Sequence, residues 1–88
     1  MPEIKLIVTH EVGLHARPAS IFVQTASKFS SDIGVSYGET TVNAKSILAV
    51  LTLGVNQGAE IIVNAEGDDA SEALKALEEL VLANFGEG

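Results

Sequence analysis

The stretch AEIIVNAEGDDASEALKALEELV, residues 59–81, changes its apolar period midway, and that change points to the fold class. In the first half, Ile61, Val63 and Ala65 share one face of a strand over residues 59–66, the two-residue repeat of a half-buried strand. In the second half, Ala73, Leu74, Leu77, Leu80 and Val81 recur at helical spacing, while Glu72, Lys75, Glu78 and Glu79 fall away from that stripe. Asp69 followed by Glu72 reads as a capping box, with aspartate in the role of the usual serine or threonine.

Working outward, residues 3–9 read as a strand, with Ile4, Leu6 and Val8 alternating against Glu3, Lys5 and Thr9. Residues 10–13 form a loop, and a helix starts near His15 or Ala16. Pro18 supports that start, because proline is tolerated in a helix only in the first turn, where N–H groups lack intrahelical partners. Ala19, Phe22, Val23 and Ala26 then share one face, with Phe29 following. Ile33, Val35 and Tyr37 alternate along residues 32–37, Gly38-Glu39 makes a tight turn, and residues 40–43 pair back as a hairpin. Ser46 caps a short helix, Ile47 to Leu53, that Gly54 ends. The order is β-α-β-β-α-β-α, which implies a two-layer α+β domain with the helices on one sheet face.

Composition narrows the class. With 88 residues there is room for one core, so residues 1–88 are read as one domain. A hydrophobic share of 47% is enough to build that core, so a disordered chain is excluded. The absence of cysteine removes disulfides, thiol catalysis and thiolate metal sites. No stretch is apolar enough to insert directly in a membrane, and Met1-Pro2-Glu3-Ile4-Lys5 has neither the basic region nor the apolar run of a signal peptide. Cytoplasmic residence is the expectation. The net charge of −7 is uneven: residues 1–58 are neutral, and residues 59–88 hold eight acids against Lys75. Nucleic acid is therefore a poor partner.

The segment Gly13-Leu14-His15-Ala16-Arg17-Pro18-Ala19 concentrates the chemistry. It sets a histidine where a loop becomes a helix, with an arginine two residues on. Free N–H groups and the partial positive charge of a helix start suit an anion, and a guanidinium adds planar donors matched to phosphate oxygens. Both disfavour imidazolium, which keeps a nucleophilic nitrogen available near neutral pH. A histidine nucleophile beside an oxyanion cradle, with no metal ligands, fits phosphoryl transfer through a phosphohistidine. A helix cap beside a surface arginine stands as the competing reading of these seven residues.

The same seven residues resemble the active-site motif of HPr, the histidine-containing phosphocarrier of the bacterial phosphotransferase system. Asn43-Ala44-Lys45-Ser46-Ile47-Leu48 resembles that family's second signature, around a regulatory serine. Leu53-Gly54-Val55, Gln57-Gly58-Ala59-Glu60 and Ala65-Glu66-Gly67 are similar to HPr sequences as well, so the resemblance covers essentially the whole chain. It implies an open-faced sandwich, a four-stranded antiparallel sheet with three helices on one face. It also implies a carrier rather than an enzyme, with no cofactor and no metal. His15 would take a phosphoryl group on Nδ1 from phosphorylated enzyme I, which draws it from phosphoenolpyruvate, and pass it to the IIA unit of a sugar transporter. The backbone N–H groups of Ala16 and Arg17 would hold the phosphate oxygens, with the Arg17 guanidinium as counter-charge.

Ser46 carries two compatible readings. As an N-cap it contributes about 1 kcal/mol over alanine. By resemblance it is also the target of an ATP-dependent HPr kinase/phosphorylase. A phosphate there should leave the fold intact while adding about −2 charge beside the docking surface. That would weaken enzyme I docking and favour a catabolite-control transcription regulator. Of Ile47, Leu48 and Leu51, two are expected to stay exposed as an apolar partner patch and at least one to enter the core. His10 reads as a surface residue, and no His10/His15 metal site is supported.

The chain also departs from the family pattern. Val12 stands where many HPr sequences have a small polar residue, which removes any side-chain hydrogen bond from that position. Gln24, Ser27 and Ala49 are uncharged, leaving Arg17, Lys28 and Lys45 near the docking face and weakening steering toward acidic partners. Two other functions compete: a mainly regulatory HPr-like module, in carbon catabolite control or a nitrogen-related phosphotransferase branch, and a small hydrolase with His15 as general base. The hydrolase lacks a serine, cysteine or carboxylate partner at recognisable spacing. A small acidic domain with one docking patch is expected to be a monomer.

Overall fold

In the computed structural model, residues 3–8, 16–56 and 58–83 are described. The elements are β1 (Glu3–Ile7), α1 (Ala16–Ala26), β2 (Asp32–Tyr37), β3 (Thr40–Asn43), α2 (Ile47–Thr52), β4 (Glu60–Glu66) and α3 (Ala70–Leu82). The predicted order holds, and element ends shift by a residue or two. Val8 follows β1 in extended pairing, its N–H bonded to the Ala59 carbonyl, and Leu53 is the C-cap of α2 rather than part of it.

The sheet order is β1-β4-β2-β3, antiparallel throughout. β4 arrives last yet lies between β1 and β2, so α1 carries the chain across a gap that β4 later fills. Cross-strand register brings Leu6 opposite Ile61, Val35 opposite Val63, and Ile33 opposite Ala65. All six are buried. Their alternates, Lys5, Ile7, Asp32, Gly34, Ser36 and Asn64, lie on the other, open face. Side chains along a strand point alternately to the two faces, so one register buries the whole apolar set at once.

Three helices cover the buried face. α1 supplies Pro18, Ala19, Phe22 and Ala26; α3 supplies Ala70, Ala73, Leu74, Leu77 and Val81; α2 supplies Val50 alone. Phe22 and Leu77 are among the largest fully buried side chains, and full burial of such a side chain is worth about 1.5–3 kcal/mol over leaving it in water. Two glycines stand close to a neighbour: at Gly34 it is the end of a side chain that can shift, and at Gly67 it includes the Ser31 backbone, so glycine is required there. A Cβ on Gly34 would stand 2.9 Å from Asn64 Oδ1 on the neighbouring strand, and one on Gly67, at φ +146°, would stand 2.6 Å from Ser31 Oγ.

The start of α3 corrects the capping box. Asp69 is the N-cap residue, but its side chain makes no capping bond. Its carboxylate accepts instead from the α1–β2 corner: Ser30 N–H at 2.9 Å, Ser31 N–H at 2.9 Å, the Ser30 hydroxyl at 3.4 Å, and the Ser31 hydroxyl in a very short bond. Four donors converging on one carboxylate outcompete two frayed N–H groups of its own helix, which water can satisfy. Ser31 is buried and has no other described acceptor for its hydroxyl. These bonds, led by the Ser31 hydroxyl and the Ser30 N–H, hold the Asp69 carboxyl down at about 2.

Candidate functional site

The first turn of α1 is anchored from inside. Pro18 and Ala19 are buried and Phe22 follows one turn on, so the helix has one rotational setting on the sheet. That setting leaves Arg17 exposed in the first turn, with Ser20 and Gln24 further along, where Gln24 Nε2 donates to Ser20 Oγ at 3.3 Å. The N–H groups of Ala16 and Arg17 belong to the first turn, where a helix has no acceptors of its own. An 11-residue helix also directs the positive end of its dipole there. His15, with Val12, Gly13 and Leu14 before it, lies outside the described residues, as do His10 and Gln57.

Ser46 is the N-cap of α2, in extended backbone conformation, and its Oγ accepts from Ala49 N–H at 3.3 Å. The turn before it is well tied. Asn43 Oδ1 accepts from Lys45 N–H at 2.8 Å, and Ser46 N–H donates to the Asn43 carbonyl at 3.1 Å. Ile47, Leu48 and Leu51 are all exposed, Leu48 at 74%. The expectation that at least one of them enters the core is therefore corrected: Val50 is the residue that does so. A six-residue helix touching the core along one narrow line has a single inward position per turn and a half.

The three cations expected near this face are spread along α1. Arg17 stands in the first turn of α1, whereas Lys28 follows the end of that helix. Lys45 also reaches to this far end, its Nζ donating to the Phe29 carbonyl at 2.7 Å. Those two ends are separated by about 15 Å at 1.5 Å of rise per residue. Neither this link nor the Asp69 clamp has a local signature: the partners are 16 and 38–39 positions apart.

Among the described residues no group of His, Cys, Asp or Glu could hold a metal ion, and no helix is long and apolar enough to cross a membrane. The family model for the phosphotransferase-system HPr component phosphorylation site matches residues 2–83. The chain belongs to the HPr family. HPr proteins are phosphocarriers of the phosphotransferase system and not enzymes. The crystal structure of HPr from Thermoanaerobacter tengcongensis superposes with a TM-score of 0.97 at 52% identity, covering 100% of this chain and 99% of that one. The phosphocarrier HPr of Bacillus anthracis gives 0.88 at 42%, covering 91% and 95%. Crh, the Bacillus subtilis catabolite repression protein, crystallised as a dimer with a swapped domain, gives 0.76 at 40%, covering 96% and 97%. The HPr fold, with its four-stranded antiparallel sheet and three helices, is the one expected from the sequence.

Proposed function

We propose that this HPr-family chain carries a phosphoryl group on His15 between phosphorylated enzyme I and the IIA unit of sugar transporters. The supporting observation is the anchored first turn of α1, directly after His15, which sets the leading N–H groups of the helix and Arg17 at the positive end of its dipole, where an anion is favoured. In the forward step His15 Nδ1 attacks the phosphorus of the phosphorylated enzyme I. A new N–P bond forms as the old one breaks. The Ala16 and Arg17 N–H groups and the Arg17 guanidinium take up the charge on the oxygens, and IIA reverses the step with its own nucleophile. The apolar patch of Ile47, Leu48 and Leu51 is the partner-docking surface. The protein acts in the cytoplasm as a single-domain monomer without cofactor, and sedimentation decides this against a Crh-like dimer.

Ser46 is the regulatory site. HPr kinase/phosphorylase transfers the γ-phosphoryl of ATP to Ser46 Oγ, forming an O–P bond and releasing ADP and the hydroxyl proton. The phosphorylated form turns from enzyme I toward a catabolite-control transcription regulator. The resemblance to Crh at 40% identity favours a second reading, a mainly regulatory module. The decisive measurement is intact mass after incubation with phosphoenolpyruvate, magnesium and enzyme I. One acid-labile phosphoryl group, absent in His15→Ala, is the expected result. No gain with a competent enzyme I, together with acid-stable phosphate on Ser46 from ATP and the kinase, selects the regulatory module.

A further inference from the structure

One peptide group, Phe29–Ser30 at the corner between α1 and β2, is held at both ends by opposite charges. Its carbonyl accepts from Lys45 Nζ at 2.7 Å, and its N–H donates to Asp69 Oδ2 at 2.9 Å. Lys45 immediately precedes Ser46 on the turn into α2, and Asp69 begins α3. A single amide therefore joins the two helices that flank α1. An ammonium on the carbonyl oxygen polarises the amide and makes its N–H a better donor to the carboxylate, so each bond strengthens the other. The corner around it has little slack: Ser31 is buried against Gly67 and bonded to the other oxygen of Asp69.

The Lys45 end of this bridge is the exchangeable one. Asp32 and Glu66 line the same depression as Lys45, a space of about 320 Å³ on the open side of the sheet. Among the described residues, however, no carboxylate forms an ion pair with its ammonium. Its acceptor is a neutral carbonyl. A phosphate on the adjacent residue would be a far stronger one, carrying about −2 charge and three acceptor oxygens. The four-carbon stem of lysine can turn from one to the other without moving the turn, whose backbone is fixed by Asn43.

We propose that Lys45 relays the state of Ser46 to the start of α3: phosphate on Ser46 captures the Lys45 ammonium, frees the Phe29 carbonyl, and loosens the grip of Asp69 on Ser30. The relay rests on the reading of Ser46 as a phosphorylation site. It gives that modification an effect beyond the docking patch, at the start of α3 and its acidic outer face.

The test is amide hydrogen exchange at Ser30 and Ser31, followed by NMR in wild type, Lys45→Met, Ser46→Asp, and chain phosphorylated with ATP and HPr kinase. Lys45→Met is expected to speed exchange at Ser30 roughly threefold to tenfold, since a charge-assisted bond is lost. Phosphorylation should speed it in the same direction, and Ser46→Asp less so. Phosphorylated Lys45→Met should show no further change. The sign separates relay from simple field, because a nearby anion repels hydroxide and slows exchange. Unchanged or slower exchange at Ser30 in chain whose mass shows one acid-stable phosphoryl group overturns the relay and leaves the Ser46 reading intact. If the kinase leaves Ser46 unmodified, that reading fails, and unchanged exchange in both Lys45→Met and Ser46→Asp then overturns the relay on its own evidence.

Discussion

α2 and α3 cover the same sheet with opposite economies of surface. α3 is 13 residues long and buries five of them, and its apolar stripe points inward almost completely. α2 is six residues long, buries Val50, and presents Ile47, Leu48 and Leu51 to solvent. Both read as amphipathic or apolar helices in the sequence. The difference teaches that an apolar residue within the stripe of a long, periodic helix belongs to the core, whereas Leu82, outside the α3 stripe, is exposed. On a helix of under two turns an apolar residue can belong to another molecule.

Truncations on the two helices should separate these roles. Leu77→Ala, in the middle of the α3 stripe, is expected to cost about 2–5 kcal/mol, read from urea unfolding midpoints. Val50→Ala should cost less, about 1.5–3 kcal/mol, because α2 has only this one buried contact and the site can partly collapse. A Val50→Ala cost equal to that of Leu77→Ala would mean α2 is as much a part of the core as α3.

The Asp69 clamp ties α3 to the corner after α1, and its expected effect is pH-dependent. The carboxyl is held at about 2 in the fold, against about 4 in an unfolded chain. A depressed carboxyl contributes stability that is complete above pH about 4 and disappears as pH falls toward 2. Asp69→Asn should lower the thermal midpoint at pH 7 and flatten the acid limb of wild type over that window. Coincident acid limbs in the two proteins would show that the clamp is not formed in solution.

The smallest stability effect is expected at Leu48. Leu48→Ser should shift stability by less than about 0.5 kcal/mol, since the residue is already 74% exposed. The same change should raise the concentration of chain needed for half-maximal phosphoryl transfer from enzyme I roughly tenfold, as loss of an interface anchor does. Stability lost without any change in transfer would reverse the assignment of the patch.

The sequence by itself determined the element order, the buried faces of β1, β2 and β4, and an α1 start near Ala16 with Pro18 in the first turn, because these depend on local periods and on backbone chemistry within a few residues. It also carried the seven-residue motif around His15, whose residues alone left an anion site and a plain helix cap both open and whose resemblance to HPr decided between them. Only the tertiary structure decided that β4 lies between β1 and β2, since strand order depends on contacts between distant segments. Only there did Asp69 turn from its own helix to Ser30 and Ser31, and Lys45 reach the Phe29 carbonyl. A side chain with several acceptors or donors in reach takes the strongest set, and folding is what brings the distant set within reach.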